Sequence, residues 1–114
     1  MIYLNLSKKE KQIARRIIEK GLQNEYSSAL EFFFQILLNW KKNNEDNRQS
    51  YYKIFKAVKN FDKYIARHYD NLTGSKYMMT IVHLLIMKMI NKEDLKDFSE
   101  ETRNKILWAV EQFS

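Results

Sequence analysis

Residues 76–90 read Lys-Tyr-Met-Met-Thr-Ile-Val-His-Leu-Leu-Ile-Met-Lys-Met-Ile, a run almost wholly apolar. Wound as a helix, it confines its main polar stripe to Lys76, Thr80 and His83. A helix that is greasy over most of its circumference must be covered on several sides, which makes it the central element of a bundle. It does not read as a membrane span. Residues 77–90 would extend about 21 Å, against roughly 30 Å of bilayer hydrocarbon, and Thr80, His83 and Lys88 interrupt them.

The flanking sequence supplies covering helices. Ser7-Lys8-Lys9-Glu10 has the pattern of a capping box, with hydroxyl and carboxylate each satisfying an orphan amide. Behind it Ile13, Ala14, Ile17 and Ile18 share one side of a helix over residues 8–20. Leu22, Tyr26, Ala29, Phe33, Ile36, Leu37 and Trp40 continue at three- and four-residue spacing, with Phe32, Phe34 and Leu38 off the stripe. Gly21 stands between the two stripes. It costs only about 1 kcal/mol relative to Ala inside a helix, so a kinked continuous helix is the preferred reading over two separate ones. Asn43-Asn44-Glu45-Asp46-Asn47 is a polar loop.

Residues 49–69 form the clearest amphipathic helix, its apolar face being Tyr51, Ile54, Phe55, Val58, Phe61, Ile65 and Tyr69. Asp62 sits at the edge of that face and needs a hydrogen-bonding partner if covered. Residues 71–75 break the helix, with Gly74 and a Ser75 cap before the central run. Asn91 caps a short helix, and Ser99 caps a last one that turns Ile106, Ala109, Val110 and Phe113 inward.

With 114 residues, no Pro and two Gly, the composition argues against an all-β fold with its many tight turns. The expected fold is an all-α, single-domain bundle of four to five helices over residues 1–114. Its central apolar helix lies at about 76–90, with residues 22–40 packed against it. No secretory or transmembrane pattern is visible, since Lys8, Lys9 and Lys11 follow the short N-terminal apolar stretch instead of preceding it. The expected location is cytoplasmic.

An enzyme is not expected. The chain has no Cys, which removes thiol nucleophiles and Cys-based zinc sites. His68 and His83 are its two histidines and do not make a paired-His metal motif; His68 with Asp70 is too small a ligand set. Thr73-Gly74-Ser75-Lys76 looks like the tail of a phosphate loop but lacks the first glycine and the preceding strand. No catalytic, cofactor-binding or metal-ligating residues are assigned.

The charge pattern is more informative. Twenty Lys and Arg against fourteen Asp and Glu give a net charge of +6. Arg48, Lys53, Lys56, Lys59, Lys63 and Arg67 fall between residues 48 and 69, where the one acid is Asp62. Lys53, Lys56, Lys59, Lys63 and Arg67 share about a third of the helical wheel with Tyr52. Such a face fits a nucleic-acid backbone or an acidic protein, with Tyr52 able to stack on an unpaired base. Four of the five cations are Lys, point charges without the planar fork that reads guanine edges, so the contact is expected to be independent of sequence. A competing explanation is compositional: Lys, Asn, Ile, Tyr and Phe are abundant and Ala is scarce, as AT-rich codons produce. A second basic surface, Lys8, Lys9, Lys11, Arg15, Arg16 and Lys20, is diluted by Glu10 and Glu19.

A different class of function rests on Phe32, Phe34 and Trp108, aromatics off the inward stripes that suit a protein interface or self-association. The candidate partners are thus nucleic acid, an acidic protein, or a second copy of the chain, and not a membrane.

Ile2, Leu4 and Leu6 alternate like a short strand, followed by a capped helix, Gly21, and Tyr26-Ser27-Ser28-Ala29 opening another helix. This order, over residues 2–40, resembles ribbon-helix-helix repressors and antitoxins. The resemblance implies a DNA-binding regulator in which strands pair across a dimer. Tyr3 and Asn5 would read the major groove, and Ser27 or Ser28 would be the phosphate-contacting cap. The chain departs from the pattern in lacking a Lys or Arg on the strand, in the longer turn made by Leu22-Gln23-Asn24, and in Phe32-Phe33-Phe34.

Overall fold

The computed structural model describes residues 6–114. The fold is all-α, with four α-helices and no strand among the described residues: α1 (Lys8–Asn43), α2 (Asn47–Tyr69), α3 (Tyr77–Ile86) and α4 (Glu100–Phe113). One-turn 3-10 helices lie at Gly74–Lys76 and Lys92–Leu95. The described residues divide into two compact units, one of residues 6–25 and 71–114 and the other of residues 26–70.

The first unit has a closed apolar core. Ile13, Ala14, Ile17 and Ile18 of α1 are buried, as their stripe predicts, with Tyr77, Met78, Ile81, Val82 and Leu84 of α3 and Ile106 and Ala109 of α4. Gly21 is in the middle of α1, which continues through it. A Cβ there would lie 2.5 and 2.8 Å from the two δ-carbons of Leu84, and Leu84 is fully buried. The glycine lets α3 press Leu84 onto the α1 backbone.

Helix ends in this unit are tied to each other. Ser7 Oγ accepts from the Glu10 backbone N–H at 3.1 Å, the first half of the expected capping box. Glu10 Oε2 accepts instead from the Ser99 backbone N–H at 3.2 Å, and Ser99 Oγ caps α4 by accepting from Thr102 N–H. The start of α1 thereby holds the start of α4. Ser75 lies inside the 3-10 turn that runs into α3, its hydroxyl 3.0 Å from that of Thr73, so it does not act as the expected cap.

The central helix stops at Ile86, four residues short of the end expected from its apolar run. Lys88 adopts φ 61°, its N–H reaches the Leu85 carbonyl, and Met89 N–H reaches that of Leu84. These are the two bonds of a Schellman termination, with a lysine where glycine is usual. In α4, Phe113, the last helical residue, is exposed instead of inward.

The second unit is a helical hairpin made of the later part of α1 and the whole of α2. Asn44, at φ 50°, makes the left-handed step that Asn tolerates. Asp46 then caps α2 by accepting from Gln49 N–H at 2.9 Å, which starts the helix at Asn47. Trp40 Nε1 donates to Asn47 Oδ1 at 2.8 Å across the turn. Farther along, the rings of Tyr26 and Phe33 pack edge-on against Phe61 at 5.3 and 6.4 Å.

Candidate functional site

The side of α2 turned away from α1 carries the cationic residues. Lys53, Lys56, Lys59, Lys63 and Arg67 are all exposed, and so is Tyr52. Lys53 Nζ lies 3.7 Å from Glu45 Oε1; the other four make no ion pair among the described residues. From Lys53 to Arg67 the row extends about 21 Å. Tyr52 packs its ring edge-on against Tyr51 at 5.7 Å, at the margin of the row. Asp62 is exposed, so it requires no internal partner.

The α1 cations are used differently. Lys20 Nζ pairs with Asp94 Oδ1 at 2.5 Å, and the Arg15 guanidinium lies 5.9 Å from the centre of the Tyr77 ring. For Asp94, burial pushes its pKa up, but the hydrogen bond from Asn91 N–H and the Lys20 ammonium outweigh it, holding the carboxyl below its ordinary 3.8. Arg15 and Lys20 therefore serve the first unit's own packing and are poorer candidates for a polyanion.

Phe32, Phe34 and Trp108 are all exposed, but the two phenylalanines do not share a face. Phe32 and Phe34 project about 200° apart on α1, and Trp108 belongs to the other unit. What sequence reasoning missed is the extent of apolar exposure on the hairpin. The face of α2 expected to be hidden leaves Tyr51, Phe55 and Val58 exposed, and α1 exposes Leu30, Phe34 and Leu37 beside them. Within residues 26–70, Ser50 alone is buried. Residues 22–40 are expected to be a covered helix, but past Glu25 all their side chains are exposed or half-buried. The signal available in the sequence is the width of the apolar arc on residues 22–40, to which Phe32, Phe34 and Leu38 add.

These exposed side chains share one broad face. On each helix they lie about 60–120° past the contact line, in the same rotational sense. Antiparallel helices wind in opposite senses when viewed from one end, so equal rotations place both sets on the same side of the hairpin. A groove of about 230 Å³ confirms the placement, since Leu37 and Tyr51 line it together with Ile36, Trp40 and Ile54.

Among the described residues no cluster of three or more His, Asp or Glu side chains could hold a metal, and no helix is long and apolar enough to cross a membrane. The turn that the ribbon-helix-helix resemblance requires before Ser27 and Ser28 is replaced by continuous α1, so neither serine is at a helix N-terminus. Tyr3 and Asn5 lie outside the described residues. No family model, curated protein or solved structure matches the chain. The class its fold and surfaces define is an all-α helical protein with one cationic helix face and one uncovered apolar face.

Proposed function

We propose that this protein binds the nucleic-acid backbone, without sequence specificity, through Lys53, Lys56, Lys59, Lys63 and Arg67 of α2. The observation that carries the reading is that all five are exposed along one helix face while four have no ion-pair partner among the described residues. Counterions released from phosphates drive such contacts, and ammonium groups on flexible stems follow a backbone without reading bases. Tyr52, at the edge of the row, offers a ring to an unpaired base.

The test is titration of labelled duplex and single-stranded oligonucleotides of unrelated sequence at several salt concentrations. Five phosphate contacts predict that log K falls with log salt at a slope of about −4 to −5 on duplex DNA. The triple variant K56E/K59E/K63E loses binding, and Tyr52→Ala weakens single strands more than duplex. Failure to bind either form at low salt, or binding unchanged in the triple variant, overturns the reading. An acidic protein captured through the same lysines in place of nucleic acid overturns it as well.

A further inference from the structure

We propose that the broad apolar face of the hairpin is a homodimer interface, covered by the same face of a second copy in a two-fold arrangement centred on Phe34 and Phe55. Three observations support a second copy as the occupant. The first is area. Leu30, Phe34, Leu37, Tyr51, Phe55 and Val58 are 40–66% exposed. Together they leave roughly 600–700 Å² accessible, more than a typical monomer's largest apolar patch and close to one partner's share of a standard interface.

The second is charge. Arg48, Phe55 and Asp62 stand seven residues apart on α2, and seven residues is nearly two whole turns, so the three form one stripe along this flank. Arg48 and Asp62 are both exposed and neither has an ion pair within the chain among the described residues. A two-fold axis crossing α2 at Phe55 lays the helix antiparallel on its copy and brings each Arg48 to the partner's Asp62, an isologous arrangement. Phe34 is within about 3 Å of the matching height on α1, because the Trp40–Asn47 and Tyr26–Phe61 contacts place residues 33 and 54 half-way between them. The stripe is self-complementary.

The third is an unsatisfied polar group. Ser50, 6% exposed, is on the wall of the groove between the helices, and its hydroxyl has no hydrogen-bond partner among the described residues. A buried hydroxyl left in that state costs stability, and the groove is the route by which a partner side chain reaches it. The centre of the cationic row lies about 100° around α2 from Phe55; Lys59 borders the stripe, while Lys53, Lys56 and Arg67 stay clear of it.

The experiment measures the mass of the full-length chain by sedimentation equilibrium over a range of concentrations, without nucleic acid. The expected species is a dimer whose affinity falls more than about a hundredfold in F34E/F55E, with helical circular dichroism retained. Arg48→Glu alone and Asp62→Arg alone each weaken the dimer about tenfold, and R48E/D62R restores it. Within one chain residues 48 and 62 are about 21 Å apart, so the rescue reports contact between copies. If F34E/F55E fails to fold, the charge-swap cycle still decides the question.

A monomer at high micromolar concentration overturns the proposal, as does a dimer indifferent to both sets of substitutions or a higher assembly through an open-ended contact. K53E/K56E/R67E, on the part of the cationic row farthest from the stripe, should dimerise normally while losing nucleic acid, so either proposal can fail without the other.

Discussion

The two units have apolar residues in plenty and do opposite things with them. In residues 6–25 and 71–114, three helical segments enclose Ile81, Leu84, Ile106 and Ala109 at 0% exposure. In residues 26–70, two helices carry eleven of the fifteen exposed large apolar side chains found among the described residues. Two helices have one line of contact and two broad faces, and a broad apolar face needs a further layer to cover it. Apolar content therefore says how much surface wants burying. The number of elements within reach decides whether it is buried.

Substitutions can break or sharpen this contrast. The largest effect is expected in the closed core, where Ile106→Ala should cost about 2–5 kcal/mol through lost burial and a cavity. Phe32→Ala, on a residue larger but 59% exposed and away from the proposed dimer face, should change stability by no more than about 0.5 kcal/mol. Urea denaturation of both variants measures the difference, and equal costs would contradict the separation of a packed unit from an open one.

A smaller effect is expected at Asp94, which links Lys20 of α1 to the Asn91 turn. Its carboxyl titrates lower in the folded chain than its ordinary 3.8. Its contribution is thus fully present above the unfolded value and is lost as pH falls through the folded one. Asp94→Asn should cost about 1 kcal/mol or less at neutral pH and flatten the fall in stability below about pH 4. Thermal melts at a series of pH values, with and without the substitution, give the answer, and an unchanged acid limb would count against the assignment.

The smallest expected change is a gain. Lys88 holds the left-handed step that ends α3, and Lys88→Gly should relieve about 0.5–1 kcal/mol of backbone strain. A rise in melting temperature with an unchanged helical spectrum is the expected readout.

Much of the local structure was legible. Ser7 and Ser99 stand where helices begin, because a side-chain oxygen that satisfies an orphan amide is a short-range device; Asp46 caps α2 in the same way but lies inside what reads as a polar loop. The buried stripe of α1 and the exposed cations of α2 were readable for the same reason, since periodicity records a face. The end of α3 was not legible. Its left-handed residue is Lys88, and without glycine the signal for a helix stop is missing.

Sequence alone determined the helical class, the approximate helix boundaries and the cationic face, all consequences of spacing within one segment. Only the tertiary structure decided that Gly21 makes room for Leu84 and that Glu10 reaches Ser99. It also decided that Leu30, Phe34 and Leu37 lie uncovered beside Tyr51, Phe55 and Val58. Those facts depend on which segments meet across long stretches of chain. A hydrophobic side chain carries its preference for burial wherever it sits, but its partner is chosen by packing geometry.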